Sequence, residues 1–300
     1  MSNYHIPVLL KQSVDGLNID PEGIYVDVTF GGGGHAREIL KRLKGGRLVG
    51  FDQDPEAAKN IPDDDRFLLV RQNFSYLWNN LKYLGIDKVD GLIADLGVSS
   101  YQFDSAQRGF SFRMTGEMDM RMNPDAEFSA LDLIGSYSEQ EMTGVFSAYG
   151  EIKNARTLSR LIVAKRELKA LHRIEDFVDA IKECTPSYNE YKYLAKVFQA
   201  IRIEVNKELS GLQILLEQTV DVIRRGGRLV VLSYHSLEDR MVKNFVKYGN
   251  FEKNMETDFY GNQKTPFKAI NRKVILPDAS EITENSRARS AKLRIAERRI

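Results

Sequence analysis

Four consecutive glycines, residues 31–34, follow the short β-branched run Ile24-Tyr25-Val26-Asp27-Val28 and lead through His35 and Ala36 into Arg37-Glu38-Ile39-Leu40-Lys41-Arg42-Leu43. An apolar run that stops at a carboxylate, passes through glycines and enters a helix-like stretch outlines a strand, a tight turn and a helix N-terminus. Glycines let the backbone approach a ligand closely, and the free N–H groups of a first helical turn supply donors there. The expectation is a nucleotide-cofactor loop. Gly31-x-Gly33-x-x-Ala36 also satisfies the dinucleotide fingerprint, and a glycine-rich turn without a ligand satisfies the same pattern.

The following strands separate these readings. Residues 47–51 end at Asp52, about 18 residues past Gly34, where a ribose would be held. Residues 67–70 lead to Asn73-Phe74, and residues 89–94 end at Asp95. In an open parallel sheet the carboxyl ends of the strands line one crevice, so Asp27, Asp52 and Asp95 are expected around one ligand. A carboxylate within ~4 Å of a unit charge is worth about 4 kcal/mol at an effective dielectric near 20. That term favours a sulfonium and opposes a pyrophosphate, so S-adenosylmethionine fits better than NAD.

A chain of 300 residues, 42% hydrophobic, suits one large domain or two smaller ones. No apolar run reaches a membrane span, and the first residues lack a basic, apolar signal region, so a cytoplasmic protein is expected. The single cysteine, Cys184, lies on the apolar stripe Ile174, Phe177, Val178, Ile181, and packing is its expected role. With four histidines and no close Cys/His cluster, no metal site is expected.

Net charge is +1, which announces no polyanionic partner. Between Glu151 and Arg173, however, Lys153, Arg156, Arg160, Lys165, Arg166, Lys169 and Arg173 face only Glu151 and Glu167 in that segment. With Ile152, Ala155, Leu158 and Ile162 at helical spacing, the cations form the wet side of an amphipathic helix, either an ordinary solvated face or a phosphate-tracking surface.

Residues 98–128 carry little periodicity, and loops of that length are commonly functional. Tyr101, Phe103, Phe110 and Phe112 occur there with Arg108, Arg113 and Arg121, a mixture suited to stacking on bases and touching phosphates. Met114, Met118, Met120 and Met122 serve as well for packing. Residues 129–205 read as helix, and apolar spacing continues to Gly226-Gly227, taken as a helix stop before the buried strand at 228–234. Strand character resumes at 292–296 after a polar stretch, 250–286. The expected architecture is a doubly wound α/β domain interrupted by a helical insertion, divided as 1–104, 105–205 and 206–300.

These residues resemble one family closely: the bacterial 16S ribosomal RNA cytosine-N4 methyltransferases called RsmH or MraW. The matching stretches are His5-Ile6-Pro7-Val8-Leu9-Leu10, Thr29-Phe30-Gly31-Gly32-Gly33-Gly34-His35, Asp95-Leu96-Gly97-Val98-Ser99-Ser100 and Arg108-Gly109-Phe110-Ser111-Phe112-Arg113. They continue with Asp119-Met120-Arg121-Met122, residues 198–206, residues 233–240 and Arg287-Ala288-Arg289-Ser290. The resemblance implies a class I methyltransferase fold with an inserted helical substrate-recognition domain. It implies adenosylmethionine contacts at Gly33, Gly34, His35, Asp52, Phe74, Asp95 and Gln102, and 16S ribosomal RNA of the small subunit as substrate. Tyr101 stands where the family has proline, Thr115-Gly116-Glu117-Met118 where it has Asp-Gly-Pro-Leu, and Tyr193-Leu194-Ala195-Lys196-Val197 where it has His-Pro-Ala-Thr-Arg.

Methyl transfer to an exocyclic amine is an in-line displacement that depends on positioning. Asp95 or a neighbouring loop carbonyl is the candidate acceptor of the amine proton, the alternative being that Asp95 only holds the cofactor. Phe110, Phe112 and Tyr234 are candidates to grip an unstacked base, with strand-end packing as the other reading of Tyr234. His235 and Asp239 are candidates for a polar floor, His235 equally for a helix cap. Arg113, Arg121, Arg287 and Arg289 are candidate phosphate contacts, and Asp119 belongs to the same substrate-side group. A non-catalytic ribosome-assembly factor and an NAD enzyme are the competing functions, and a homodimer is a candidate assembly.

Overall fold

The computed structural model describes residues 7–255, 257, 259–261 and 264–299, apart from the side chain of Ser100. His5 and Ile6 of the first family stretch lie outside the described residues. The strands are β1 (Ile24–Asp27), β2 (Arg47–Phe51), β3 (Phe67–Val70), β4 (Val89–Asp95), β5 (Ile223–Ser233), β6 (Phe267–Ala269) and β7 (Lys292–Arg298). They form one sheet of order β3-β2-β1-β4-β5-β7-β6. The first five are mutually parallel, and β7 runs antiparallel to both β5 and β6.

Side-chain alternation shows why the central strands read as continuous apolar runs. Val26, Leu92, Ala94, Leu229 and Val231 join one core with Leu77, Leu212, Leu216 and Phe245. Tyr25, Ile93, Val230 and Leu232 join a second core with Val14, Ile39 and Leu40. A period of two with both faces covered demands an apolar residue at nearly every position. The covering helices are α1 (Leu10–Gly16), α2 (Gly34–Arg42) and α3 (Leu77–Tyr83). After the insertion come α10 (Glu208–Val222), α11 (Ser236–Tyr248) and α12 (Ala279–Glu284).

Between β4 and β5 lie α4 (Ser100–Asp104), α5 (Ala130–Ser136), α6 (Glu139–Gly150), α7 (Ala155–Leu168), α8 (Ile174–Ala180) and α9 (Glu190–Val205). Three of their N-termini carry reciprocal capping boxes, Ser99 with Gln102, Ser129 with Asp132 and Ser138 with Glu141. Each satisfies N–H groups that a helix start leaves unpaired. Phe146, Leu158, Ile162, Phe177, Val197 and Ile201 build a core of their own.

The chain divides into residues 1–97 with 209–300, and residues 98–208. The helical unit therefore starts earlier and ends later than the 105–205 expected. The Ser99 cap opens α4 directly after the Gly97 turn, and Glu208 is tied back to Arg202 by two hydrogen bonds of 2.7 and 2.8 Å. Gly226-Gly227 is not a helix stop. The strand has already begun at Ile223, and the register slips between Val89 and Gly91. Gly226 has φ +80°, and a Cβ on Gly227 would lie 2.8 Å from the Asp90 carbonyl oxygen, so both glycines serve the bulge. Strand β6 leaves no periodic signal, because only Phe267 of its three residues is buried.

Candidate active site

Local chemistry shapes the glycine loop. Gly31 and Gly33 have φ of +48° and +70°, a region that costs a side chain 1–2 kcal/mol or so. Three side chains cinch the loop. Asp52 Oδ2 accepts the Gly31 N–H at 2.7 Å, Asn60 Nδ2 donates to the Gly31 carbonyl at 3.0 Å, and Arg37 donates to the Gly32 carbonyl at 2.6 Å. The other oxygen of Asp52 accepts the Asp54 N–H at 2.8 Å. A Cβ on Gly34 would fall 2.0 Å from Pro7 Cγ, so only glycine fits beneath that ring. Sequence reading missed Arg37 and Asn60, whose roles depend on where the loop folds back.

The parallel register sets Asp27 opposite Ile93 of β4, two positions before Asp95. Asp27 is 1% exposed, and its carboxylate accepts the Thr29 N–H at 3.1 Å. Burial first, then the neighbouring charges of Asp95 and Asp52, push its carboxyl up to about 7. The expected ring of three ligand-facing acids is thus corrected to two, with Asp27 shaping the loop from below.

Asp95 is held from several directions. Its backbone N–H donates to Thr29 Oγ1 at 2.6 Å, and its Oδ1 accepts the Tyr234 hydroxyl at 2.7 Å. Its Oδ2 lies 3.8 Å from His35 Nδ1, and its side chain keeps 24% exposure. Burial pulls the His35 imidazole down to about 4, so that neighbour is neutral, and its buried Nε2 has no hydrogen-bond partner among the described residues. Burial, reinforced by Asp95, raises the Tyr234 phenol well above its usual value, which keeps it a donor. Tyr234 therefore orients Asp95, and its half-buried ring packs against the second core instead of standing free for a base.

Phe74 follows Asn73 in the turn Phe74–Tyr76, half-buried against the first core, and Asn73 caps that turn by accepting the Ser75 N–H at 2.8 Å. His235 is the N-cap of α11. Glu238 reaches back to accept the Tyr234 N–H at 2.9 Å and lies 3.1 Å from His235 Nε2, so these groups close the helix start on itself. Asp239 is no floor for a substrate either, since it pairs with Arg294 at 2.7 Å and Lys292 at 3.3 Å on β7. Arg287 and Arg289 lie in the turn Ser286–Ser290, with Arg289 exposed.

Within the helical unit, Gln102 is buried and serves in the α4 capping box, where its side-chain oxygen accepts the Ser99 N–H at 3.1 Å. Phe110 is 5% exposed inside the helical core, which rules out a base-gripping face there. Met118, Met120 and Met122 pack in the same core. Arg121 spends its guanidinium on both oxygens of Asp119 and on the Ala126 carbonyl at 2.7 Å, bracing the loop from within. Phe112 is half-buried and Arg113 exposed.

The cations of α7 are also largely committed. Arg156, Lys165 and Lys169 pair with Glu139, Glu183 and Asp176, and Arg166 donates to the carbonyls of Ile134 and Tyr137. Those acids come from outside the segment whose charge looked unbalanced, so α7 is largely a neutralised face. Cys184 is half-buried against the helical core, its thiol pushed up by burial.

Among the described residues no helix is long and apolar enough to cross a membrane. The seven-stranded sheet with antiparallel β7 is the class I methyltransferase fold that the resemblance implies. A curated relative from Bacteroides thetaiotaomicron, named ribosomal RNA small subunit methyltransferase H, is 55% identical, with 99% of this chain and 98% of the relative aligned. A relative of the same name from Cytophaga hutchinsonii is 53% identical over 98% of this chain and 99% of its own. A solved rRNA methylase from Streptococcus thermophilus is similar over 99% of both chains, at 13% identity and a TM-score of 0.42. With a family model matching residues 2–299 and relatives more than half identical along nearly their whole length, the chain belongs to the MraW methylase family.

Proposed function

We propose that this protein is an S-adenosylmethionine-dependent methyltransferase that acts on small-subunit 16S ribosomal RNA, at the exocyclic N4 of a cytidine. One observation carries the reading: Asp95, partly exposed at the carboxyl end of β4 and fixed by Tyr234 and Thr29, belongs to the same strand-end layer as a glycine loop that leaves no room for a side chain at Gly33 or Gly34. Family membership and the names of its relatives support the same activity.

The residues fit the methyl donor. Gly33 and Gly34 form a cradle that a Cβ would fill, the first against Phe30 and Arg37 and the second against Pro7. The two Asp52 oxygens accept the Gly31 and Asp54 N–H groups, which fixes the carboxylate beside the glycine loop, and a ribose hydroxyl is the donor we assign to it. Asp52 and Asp95 favour a cation over a pyrophosphate. We assign Gly33, Gly34, His35, Asp52, Phe74, Asp95 and Gln102 to the donor. When bound, adenosylmethionine supplies an electrophilic methyl group on a positively charged sulfur.

The chain's own work is placement and proton handling. The cytosine amine is a poor nucleophile because its lone pair is delocalised into the ring. Asp95 would accept a hydrogen bond from the amine N–H, which localises that pair, and would take the proton as the N–C bond forms and the carbon–sulfur bond breaks with its electron pair left on the sulfur. Tyr234 acts as a positioning residue, holding the carboxylate in one orientation. Phe112 and Arg113 remain our assignments for the RNA side.

Nucleoside mass analysis of small-subunit RNA from cells with and without the protein tests the reading. Loss of N4-methylated cytidine is expected, and an unchanged nucleoside profile sinks it. In purified protein, Asp95→Asn is expected to lower the single-turnover rate by 100-fold or so while adenosylmethionine affinity changes less.

A further inference from the structure

We infer that the exposed start of α9 is a stacking platform for unpaired nucleotides of the RNA substrate, built from Tyr188, Tyr191, Arg113 and Lys192. This rests on the RNA-methyltransferase reading above and adds a contact outside the reacting base. Tyr188 is 89% exposed and Tyr191 68%, three positions apart where the turn Ser187–Asn189 runs into the helix. Two aromatic rings left in water contribute little to the helical core, whereas every base has a face that such rings can cover.

The platform is braced from beneath. Phe112 meets Phe198 edge-on at 5.6 Å between ring centres, and Phe198 meets the buried Phe177 at 6.0 Å. Tyr191 lies 6.2 Å from Phe112, and the Arg113 guanidinium sits 5.6 Å from the Tyr191 ring and 6.0 Å from Phe112. A cation held over an aromatic ring is pre-oriented to stack on a base or meet a phosphate.

Charge favours a polyanion. Among the described residues, Arg113, Lys192 and Lys196 make no ion pair, in contrast to the neutralised cations of α7. Glu190 is the acid in the first turn of α9. Unpaired nucleotides are the fitting ligand because a duplex hides its base faces from side chains.

The test is fluorescence anisotropy of the full chain with a labelled single-stranded RNA octamer and with the corresponding duplex. Tyr191→Ala is expected to weaken octamer binding roughly ten-fold and leave duplex binding unchanged, and Tyr191→Trp to restore it. Lys192→Gln is expected to lower the slope of log affinity against log salt by about 1. Melting temperature and adenosylmethionine affinity of these variants should match the parent, which separates stacking from misfolding. The platform is overturned if the parent does not bind the octamer, if Tyr188→Ala with Tyr191→Ala binds it like the parent, or if tryptophan restores nothing. Equal losses on octamer and duplex also overturn it. Absence of methyl transfer by a parent protein that shows the tyrosine effect would instead sink the enzymatic reading.

Discussion

Asp27 and His35 are two buried titratable groups whose charged forms the fold disfavours, with opposite consequences for stability. The Asp27 carboxyl is raised from 3.8 to about 7, so between those values the unfolded chain has released a proton that the folded chain keeps. Its contribution is fully present below the lower value and is lost as pH rises through the upper one. The His35 imidazole is lowered from 6.5 to about 4, so between those values the unfolded chain holds a proton that the folded chain lacks. That contribution is present above 6.5 and is lost as pH falls toward 4. From roughly pH 4.5 to 6.5 the two slopes oppose each other, each about 1.4 kcal/mol per pH unit. Asp27→Asn removes one of them while keeping an oxygen to accept the Thr29 N–H. Its unfolding free energy, measured by urea titration, is expected to rise with pH relative to the parent by about that slope. Parallel curves would show that Asp27 is ionised in the folded protein. Nothing in the residue types alone distinguishes Asp27 from Asp52 or Asp95, since all three end strands, and burial separates them.

The loop between α4 and α5 shows how one segment can look like a binding element and be largely structural. Arg108 donates to the carbonyls of Arg121 and Met122 at 2.9 Å, and Asn206 pairs with the backbone of both Met120 and Met122. Met120 adopts φ +58° while fully buried, a conformation that persists only where its surroundings over-determine it. Arg121→Ala is therefore expected to destabilise the protein by about 1–3 kcal/mol, because it leaves Asp119 and the Ala126 carbonyl short of donors. The salt slope of RNA binding should not change. A slope lowered by about 1 with stability intact would return Arg121 to the phosphate contacts. The capping boxes at Ser99, Ser129 and Ser138 involve residues only three apart, yet none of them stood out in the sequence, because the same Ser-x-x-acid or Ser-x-x-Gln spacing recurs where no helix starts.

Both units have cores of their own, but only the helical one is continuous in the chain. A fragment of residues 98–208 is expected to show helical circular dichroism and a cooperative melt. A fragment of residues 1–97 is not, because β4 then lacks its partner β5 and the sheet loses the cover of α10 and α11. A cooperative melt of the 1–97 fragment would show that the four-stranded half is self-sufficient. Strand β6 and the order of the strands in the sheet were not readable from the amino acids, whereas the strands β1 to β5 and β7, the helical segment between the fourth and fifth, the glycine loop and its following helix were. Those features are written in short-range terms: alternation along a strand and the lack of a Cβ. Folding alone revealed that Phe110 lies in a core, that Glu139, Asp176 and Glu183 answer the cations of α7, and that Asp27 is sealed from water. Burial and charge pairing are properties of neighbours in space, and residues distant in the chain become neighbours only once the helices and strands have packed.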